Sequence, residues 1–300
     1  MSILREIAGH ALHVVKSPIK GFRMLTTGDS AAFYTLLGDD LVFFHGDQFQ
    51  DTEKPLWLNF GYWKEARSYP DAAVALARLL ADWADLRETD DVLDVGFGFG
   101  EQDIVWVKDH KAKHITGLNI TPLHVDVGRK RVARAGLERR IDLRHGSATD
   151  LREFHDGQFD KVVALECAFH FRTRDDFFDQ AFRVLKPGGR LAATDLLSLP
   201  GYRSTLVHRL FRKYGDNPEA NVYDLETCKA KLASLGYVNI KGESIAHHVY
   251  PGIDQYTRLR RQGAKMSDIQ VHVTGEKDEG RIQNGMDDYV VYSAERPRSD

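Results

Sequence analysis

Val92-Leu93-Asp94-Val95-Gly96-Phe97-Gly98-Phe99-Gly100-Glu101 decides the fold: a short apolar run enters a turn of alternating glycines and leaves as a polar-faced helix. A glycine-rich turn between a first strand and its helix lets a ligand approach the backbone closely. Such a turn does not by itself choose the ligand. The spacing narrows the choice. A dinucleotide fingerprint asks for its third glycine, or an alanine, where Glu101 stands, and Asp103 follows two residues later. Two carboxylates in the first helical turn suit the helix dipole. They would repel a pyrophosphate bound at that helix end. The expectation is therefore a ligand without phosphates.

Outward from this turn the chain alternates short apolar runs with polar-faced helices. Strands are expected at Asp91–Val95, His114–Ile120, Ile141–His145, Lys161–Glu166 and Arg190–Leu197, with Tyr237–Ile245 and Asp288–Glu295 completing a seven-stranded set. Helices are expected at Glu101–His110, Leu123–Ala135, Phe177–Leu185 and Leu225–Leu235, and Lys186-Pro187-Gly188-Gly189 closes the third of these. This alternation predicts an α/β fold, a parallel sheet covered by helices on both faces. Upstream, Val74, Leu76, Leu79, Leu80 and Trp83 recur at helical spacing in Ala72–Leu86, and Ser68-Tyr69-Pro70-Asp71 supplies a breaker and a cap. Residues 1–85 read as an N-terminal helical cap and 86–300 as the ligand-binding domain. Insertions near 198–223, with a helix at Ser204–Tyr214, and near 247–287 extend the cap over the sheet's carboxyl edge. Open α/β sheets bind ligands at that edge.

The chain has 300 residues, 42% apolar and 28% charged, as in a soluble globular protein. A net charge of −3 gives no electrostatic reason to bind nucleic acid. Two cysteines, Cys167 and Cys228, make no disulfide framework and read as reduced thiols of a cytoplasmic protein. No apolar run is long enough to span a bilayer, and Arg5-Glu6 interrupts what would be a signal peptide's apolar core. Within the first 25 residues Leu12, Val14, Val15 and Ile19 sit among His13, Lys16, Lys20 and Arg23. That pattern reads as a helix packed over the active site or across a homo-oligomer, with contact to a membrane surface or another partner as the alternative.

The order of five motifs carries a resemblance. Val92–Gly100 is followed by Gly117-Leu118-Asn119-Ile120-Thr121-Pro122, by Gly146-Ser147-Ala148-Thr149-Asp150-Leu151, by Leu165-Glu166-Cys167-Ala168-Phe169-His170 and by Leu185-Lys186-Pro187-Gly188-Gly189. In this order and spacing they resemble the class I S-adenosylmethionine-dependent methyltransferases. They are most similar to the small-molecule group that includes the sugar O-methyltransferases of antibiotic pathways and the tocopherol and glycine-betaine types. The resemblance implies a Rossmann-like, seven-stranded sheet with a helical cap. It also implies S-adenosylmethionine as cofactor, which lacks phosphates and carries a sulfonium and an ammonium. It places Asp94, Gly96, Gly98 and Gly100 against the methionine and ribose parts, Asn119 and Ile120 at the ribose and adenine, and Ser147 and Ala148 at the adenine edge. His124 stands where relatives carry a glutamine near the ribose. Asn119 either hydrogen-bonds a ribose hydroxyl or merely ends its strand. Tyr62 and Trp63, in Asn59-Phe60-Gly61-Tyr62-Trp63, either close over the methionine end or fill the core.

Methyl transfer from a sulfonium is a direct displacement needing no covalent nucleophile and no metal; the protein aligns the reactants and excludes water. A hydroxyl acceptor must lose its proton, and histidine suits that near neutral pH. His170, just beyond the fourth strand, is the candidate base, and several of the O-methyltransferases that the chain resembles carry theirs there. Asp195, ending the fifth strand, is a candidate to orient the imidazole or share its work. Glu166 is a candidate to hold the cofactor or to act as base in C-methylation. Cys167 reads as a buried small side chain. His10/His13 and His247/His248 lack partners at metal-ligand spacing, and no second acid and asparagine follow Asp195, so no metal is expected.

The expected activity is methylation of a small-molecule acceptor, most plausibly a natural-product hydroxyl in secondary metabolism. C- or N-methylation of a terpenoid, lipid or amine is the alternative, and a non-catalytic cofactor-binding protein the next. A nucleic-acid methyltransferase would want a basic face and an Asn-Pro-Pro-Tyr type motif where Glu166-Cys167-Ala168-Phe169 stands. A nicotinamide enzyme conflicts with Glu101.

Overall fold

Val92, Leu93 and Val95 are wholly buried, and they lie on an interior strand of one sheet. The structure, a computed structural model, describes residues 54–202, 218–273 and 287–298. The seven strands are β1 (Asp91–Val95), β2 (His114–Asn119), β3 (Ile141–His145), β4 (Phe159–Leu165), β5 (Leu185–Ser198), β6 (Val238–Ser244) and β7 (Asp287–Glu295). Their order is β3-β2-β1-β4-β5-β7-β6. Helices α1 (Tyr69–Ala84), α2 (Glu101–Asp109), α3 (Pro122–Arg134), α4 (Arg174–Val184), α5 (Leu225–Ser234) and α6 (Ala246–Arg261) surround the sheet. The Rossmann-like, seven-stranded fold expected from the alternation is present.

Two of its features differ from that expectation. β7 runs antiparallel to both β5 and β6. The reason is where the chain re-enters. β6 ends at the carboxyl edge, α6 begins two residues later at Ala246, and Asp287 starts β7 opposite Ser198, the last residue of β5. A strand entering from the edge its predecessor left must run backwards, because no crossover has carried the chain to the other end. The second difference is in β5. Lys186–Gly189 does not terminate α4 ahead of the strand but lies inside it as a bulge. The pairing with β4 jumps there from Phe159↔Leu185 to Lys161↔Arg190.

One face of the sheet packs Phe177, Phe178, Ala181 and Val184 of α4 with Cys228 and Leu232 of α5. The other packs Leu76, Leu80 and Ala84 of α1, Trp106 and Val107 of α2, Val125 and Val132 of α3, and Val249 of α6. Helix α1 lies inside the segment read as the cap, yet its apolar stripe is built into the sheet's own core. The Ser68 hydroxyl caps α1 by accepting the Asp71 N–H, as its sequence suggests, with Pro70 in the first turn. A third cluster joins Trp57, Trp63, Tyr69, Ala72, Ile253 and Tyr256, tying residues 54–68 and α1 to α6. In α6, Gly252 makes room for it: a Cβ there would fall 2.1 Å from Cγ of Trp63. No helix among the described residues is long and apolar enough to cross a membrane. The basic N-terminal stretch, the aromatic residues Phe33, Tyr34, Phe43, Phe44 and Phe49, and the helix expected at Ser204–Tyr214 lie outside the described residues.

Candidate active site

Parallel strands bring their carboxyl ends to one edge, and four of the five motifs meet there; the fifth, Leu185–Gly189, opens β5 at the opposite edge. At the end of β1 the three glycines take positive φ values, 79° at Gly96, 56° at Gly98 and 80° at Gly100. L side chains rarely adopt such backbone angles, so the turn depends on glycine. Gly96 is also crowded: a Cβ there would lie 2.6 Å from Sγ of Cys167. That thiol donates to the Val95 carbonyl at 3.0 Å. Burial pushes its pKa well up, so it is a protonated packing group. The β4 motif is therefore seated directly on the glycine turn.

At the end of β2, Asn119 accepts the Thr121 N–H at 2.9 Å through its side-chain oxygen. This shapes the entry to α3. His145 Nε2 lies 3.1 Å from the Ile120 carbonyl. Ser147 turns its hydroxyl back to Thr149, 3.0 Å from Oγ1, and Ala148 is buried beside it. His124 is buried, with its ring 4.6 Å from that of Phe99. Burial lowers its pKa to about 4, so the imidazole is neutral at physiological pH.

The acidic groups are arranged differently from their sequence reading. The sequence sets Glu101 against a pyrophosphate at this helix end. It is instead buried and paired with Arg131 of α3, and its Oε1 also accepts the Leu56 N–H at 3.0 Å. Its charge is compensated, so it cannot be the group that repels an anion. The uncompensated charge lies deeper. Asp94 and Asp103 are fully buried and hydrogen-bond to each other. No other side chain donates to Asp94 Oδ1 or to either Asp103 oxygen. Two carboxyls in contact require a shared proton. Burial raises both pKa values, and the neighbouring charge raises Asp103 further. Gln102 donates to Asp94 at 3.1 Å. Among the described residues no cation pairs with either acid. With Asp94 raised to about 7, the pair carries at most one negative charge near neutral pH, and such a pair below a glycine turn suits a cofactor that bears cations and lacks phosphates.

Residues 56–63 form a strap across this edge. It is fastened at Leu56 by Glu101 and at Phe60, whose N–H donates to Glu166 at 2.8 Å. Leu58 lies between, 3.2 Å from where a Gly98 Cβ would be. Tyr69 OH donates to the carbonyls of Trp57 at 3.1 Å and Asn59 at 2.9 Å. Tyr62 remains half-buried, edge-on to His248 at 5.2 Å. Trp63 is wholly buried against Tyr69 and Tyr256, a packing position.

Glu166 follows β4 with φ 51°, a left-handed conformation that turns the chain sharply. Its Oε2 also accepts from Tyr289 OH. Burial pushes its pKa from 4.5 up to about 8, against the hydrogen bonds from Tyr289 and Phe60. Between these two pH values the folded protein holds a proton that the unfolded chain has released. The resulting stability is full below the unfolded value and is lost as pH rises through the folded one. Thermal melts of wild type and Glu166→Gln should show this. The wild type's advantage should shrink between about pH 4.5 and 8, and parallel curves would refute the shift.

His170 ends a single 3₁₀ turn, Ala168–His170, with its N–H on the Cys167 carbonyl at 3.1 Å and its ring 3.8 Å from that of Phe169. Asp195 is fully buried and meets Arg174, whose Nε donates to Oδ2 at 2.6 Å. It also accepts the N–H groups of Leu196, at 2.8 Å, and Phe169. The structure thus brings Asp195 to the backbone of the His170 turn and to Arg174. Sequence reasoning missed Arg131, Arg174, Asn221 and Tyr289. The first three act through partners far along the chain, and a local pattern carries no sign of that. Tyr289 had one signal, a hydroxyl on the first buried position of the last strand. Among the described residues no group of three or more His, Cys, Asp or Glu side chains is placed to hold a metal ion.

Residues 93–193 match a family described as a methyltransferase domain. Over 267 residues the chain is 34% identical to erythromycin 3''-O-methyltransferase of Saccharopolyspora erythraea, covering 84% of this chain and 87% of that one. It is 29% identical to 27-O-demethylrifamycin SV methyltransferase of Amycolatopsis mediterranei, covering 84% and 95%. Among solved structures it resembles the cyclase SpnF, with a TM-score of 0.64 and 21% identity over 87% of this chain and 96% of that one. It also resembles geranyl diphosphate C-methyltransferase from Streptomyces coelicolor A3(2), with a TM-score of 0.61 and 17% identity over 76% and 77%. At those identities the structural likeness speaks for the fold alone.

Proposed function

The chain belongs to the class I S-adenosylmethionine-dependent methyltransferases that act on small molecules, and on that premise we propose that it methylates a hydroxyl of a natural product, with His170 as general base and no metal ion. The observation that carries this reading is the seating of the β4 motif. Cys167 touches the glycine turn, and His170 stands three residues further on the same tight turn. When bound, S-adenosylmethionine supplies a methyl group already activated on a sulfonium.

The chain's own residues have three tasks. The glycine turn and the Asp94–Asp103 pair receive the cationic end of the cofactor. The strap, fastened by Glu101 and Glu166, excludes water. The imidazole of His170 takes the proton that the acceptor hydroxyl loses as its oxygen becomes methylated. An oxygen acceptor is consistent with two relatives, whose names describe methylation at oxygen in one case and of a 27-O-demethyl compound in the other.

A metal is not needed to activate the leaving group. Asp195 is engaged by Arg174 and two backbone N–H groups. The test is incubation with methyl-labelled S-adenosylmethionine and a panel read by mass spectrometry. The panel contains 27-O-demethylrifamycin SV, an erythromycin lacking its 3''-O-methyl group, other hydroxylated polyketides, and amine and terpenoid controls. A mass gain located on oxygen of a polyketide is expected. Labelling confined to amines or carbon would overturn the O-methylation reading.

A further inference from the structure

Arg174 is wholly buried, yet nothing in methyl transfer calls for a cation there. It opens α4, four residues after His170, and its contacts are all directed at the two segments flanking the His170 turn. Its backbone N–H donates to Asn221 Oδ1 at 2.8 Å. Its guanidinium donates to Asp195 at 2.6 Å, to the Leu196 carbonyl at 2.6 Å and to the Asn221 carbonyl. Its far face lies 5.1 Å from the Tyr223 ring centroid. The two groups that it fixes then hold the turn itself. Asp195 accepts the Phe169 N–H. Asn221 Nδ2 donates to the carbonyls of Phe171 at 2.8 Å and Phe169 at 3.3 Å.

We propose that Arg174 and Asn221 are positioning residues for the reaction, clamping the backbone on both sides of His170 so that its imidazole has one orientation. The inference rests on the reading of His170 as the base. Its physical ground is that a base must lie within hydrogen-bond reach of the proton it takes, and a short 3₁₀ turn with two internal hydrogen bonds does not fix that by itself. Here the peptide groups on either side of the imidazole are tied to a buried ion pair and a buried amide. The planar guanidinium reaches three acceptors in one plane, which an ammonium cannot do.

The test uses the full-length protein and two variants. Asn221→Ala deletes the donors to Phe169 and Phe171 but leaves the Arg174–Asp195 pair. Arg174→Lys keeps the charge and loses the fork. Hydrogen exchange is followed at the amides of His170 and Phe171, with S-adenosylhomocysteine affinity measured by calorimetry and kcat and KM on the acceptor found by the panel. In both variants exchange at those two amides should quicken by about tenfold, the effect of losing one or two buried hydrogen bonds. kcat should fall by about tenfold or more with KM and S-adenosylhomocysteine affinity nearly unchanged. Exchange at the wild-type rate in both variants would overturn the clamp, whatever the activity. Faster exchange with undiminished kcat, together with wild-type turnover by His170→Ala, would instead overturn the base assignment on which its catalytic role depends.

Discussion

His170→Ala should lower kcat by about 10²–10⁴-fold on a hydroxyl acceptor, the range in which a positioned general base contributes. Affinity for S-adenosylhomocysteine should stay near the wild-type value if, as proposed, the cofactor contacts lie in the glycine turn and the strap. The loss should appear in kcat and not in KM, since the imidazole's work is done as the hydroxyl proton leaves. Glu166→Gln is the informative companion. Glu166 accepts hydrogen bonds from Phe60 N–H and Tyr289 OH, and burial favours its protonated form up to about pH 8. A protonated carboxyl is a poor base, so Glu166→Gln should retain most of the turnover while loosening the strap and raising KM for the cofactor. Turnover that survives His170→Ala and disappears in Glu166→Gln would exchange the two roles and point to carbon as the acceptor atom.

What the sequence made legible was whatever depends on short-range pattern. The glycine spacing, the carboxyl ends of the strands to within a residue and the cap at Ser68 are local, and they stand where periodicity and turn chemistry put them. The direction of β7 was not legible, because it is set by the edge at which the chain re-enters the sheet, and no periodicity records that. The glycine turn's electrostatics were half legible. The sequence places acids at positions 101 and 103, but it does not show which of them keeps a charge. Arg131, thirty residues beyond Glu101, neutralises it, whereas Asp94 and Asp103 are left facing each other. Asn119 and Trp63 show the same limit from the other side. Both sit in motifs that the resemblance ties to the cofactor. Their motifs do not reveal what else they touch: the Asn119 side-chain oxygen accepts the Thr121 N–H, and Trp63 packs between α1 and α6.

Arg174→Met should be the most destabilising single change at this edge. It leaves Asp195 buried with two backbone donors and no cation, and removing one partner of a buried pair costs about 3–5 kcal/mol. At roughly 2–4 °C per kcal/mol for a chain of this size, Tm should fall by about 6–20 °C. If the stranded charge is the main term, Arg174→Met/Asp195→Asn should recover much of the loss. The amide removes the charge and still offers an oxygen to the Phe169 N–H. The dependence on pH has a definite sign. Burial already raises the Asp195 pKa, and the guanidinium is its largest opposing influence. Without Arg174 the folded carboxyl binds a proton that the unfolded chain has released, so the variant loses stability as pH rises. The deficit against wild type should therefore be largest at neutral pH and narrow on acidification, with the double variant free of that slope. Melts of the three proteins across that range decide the matter. A single variant with a constant deficit at every pH would show that lost hydrogen bonds, and not an unpaired carboxylate, destabilise it.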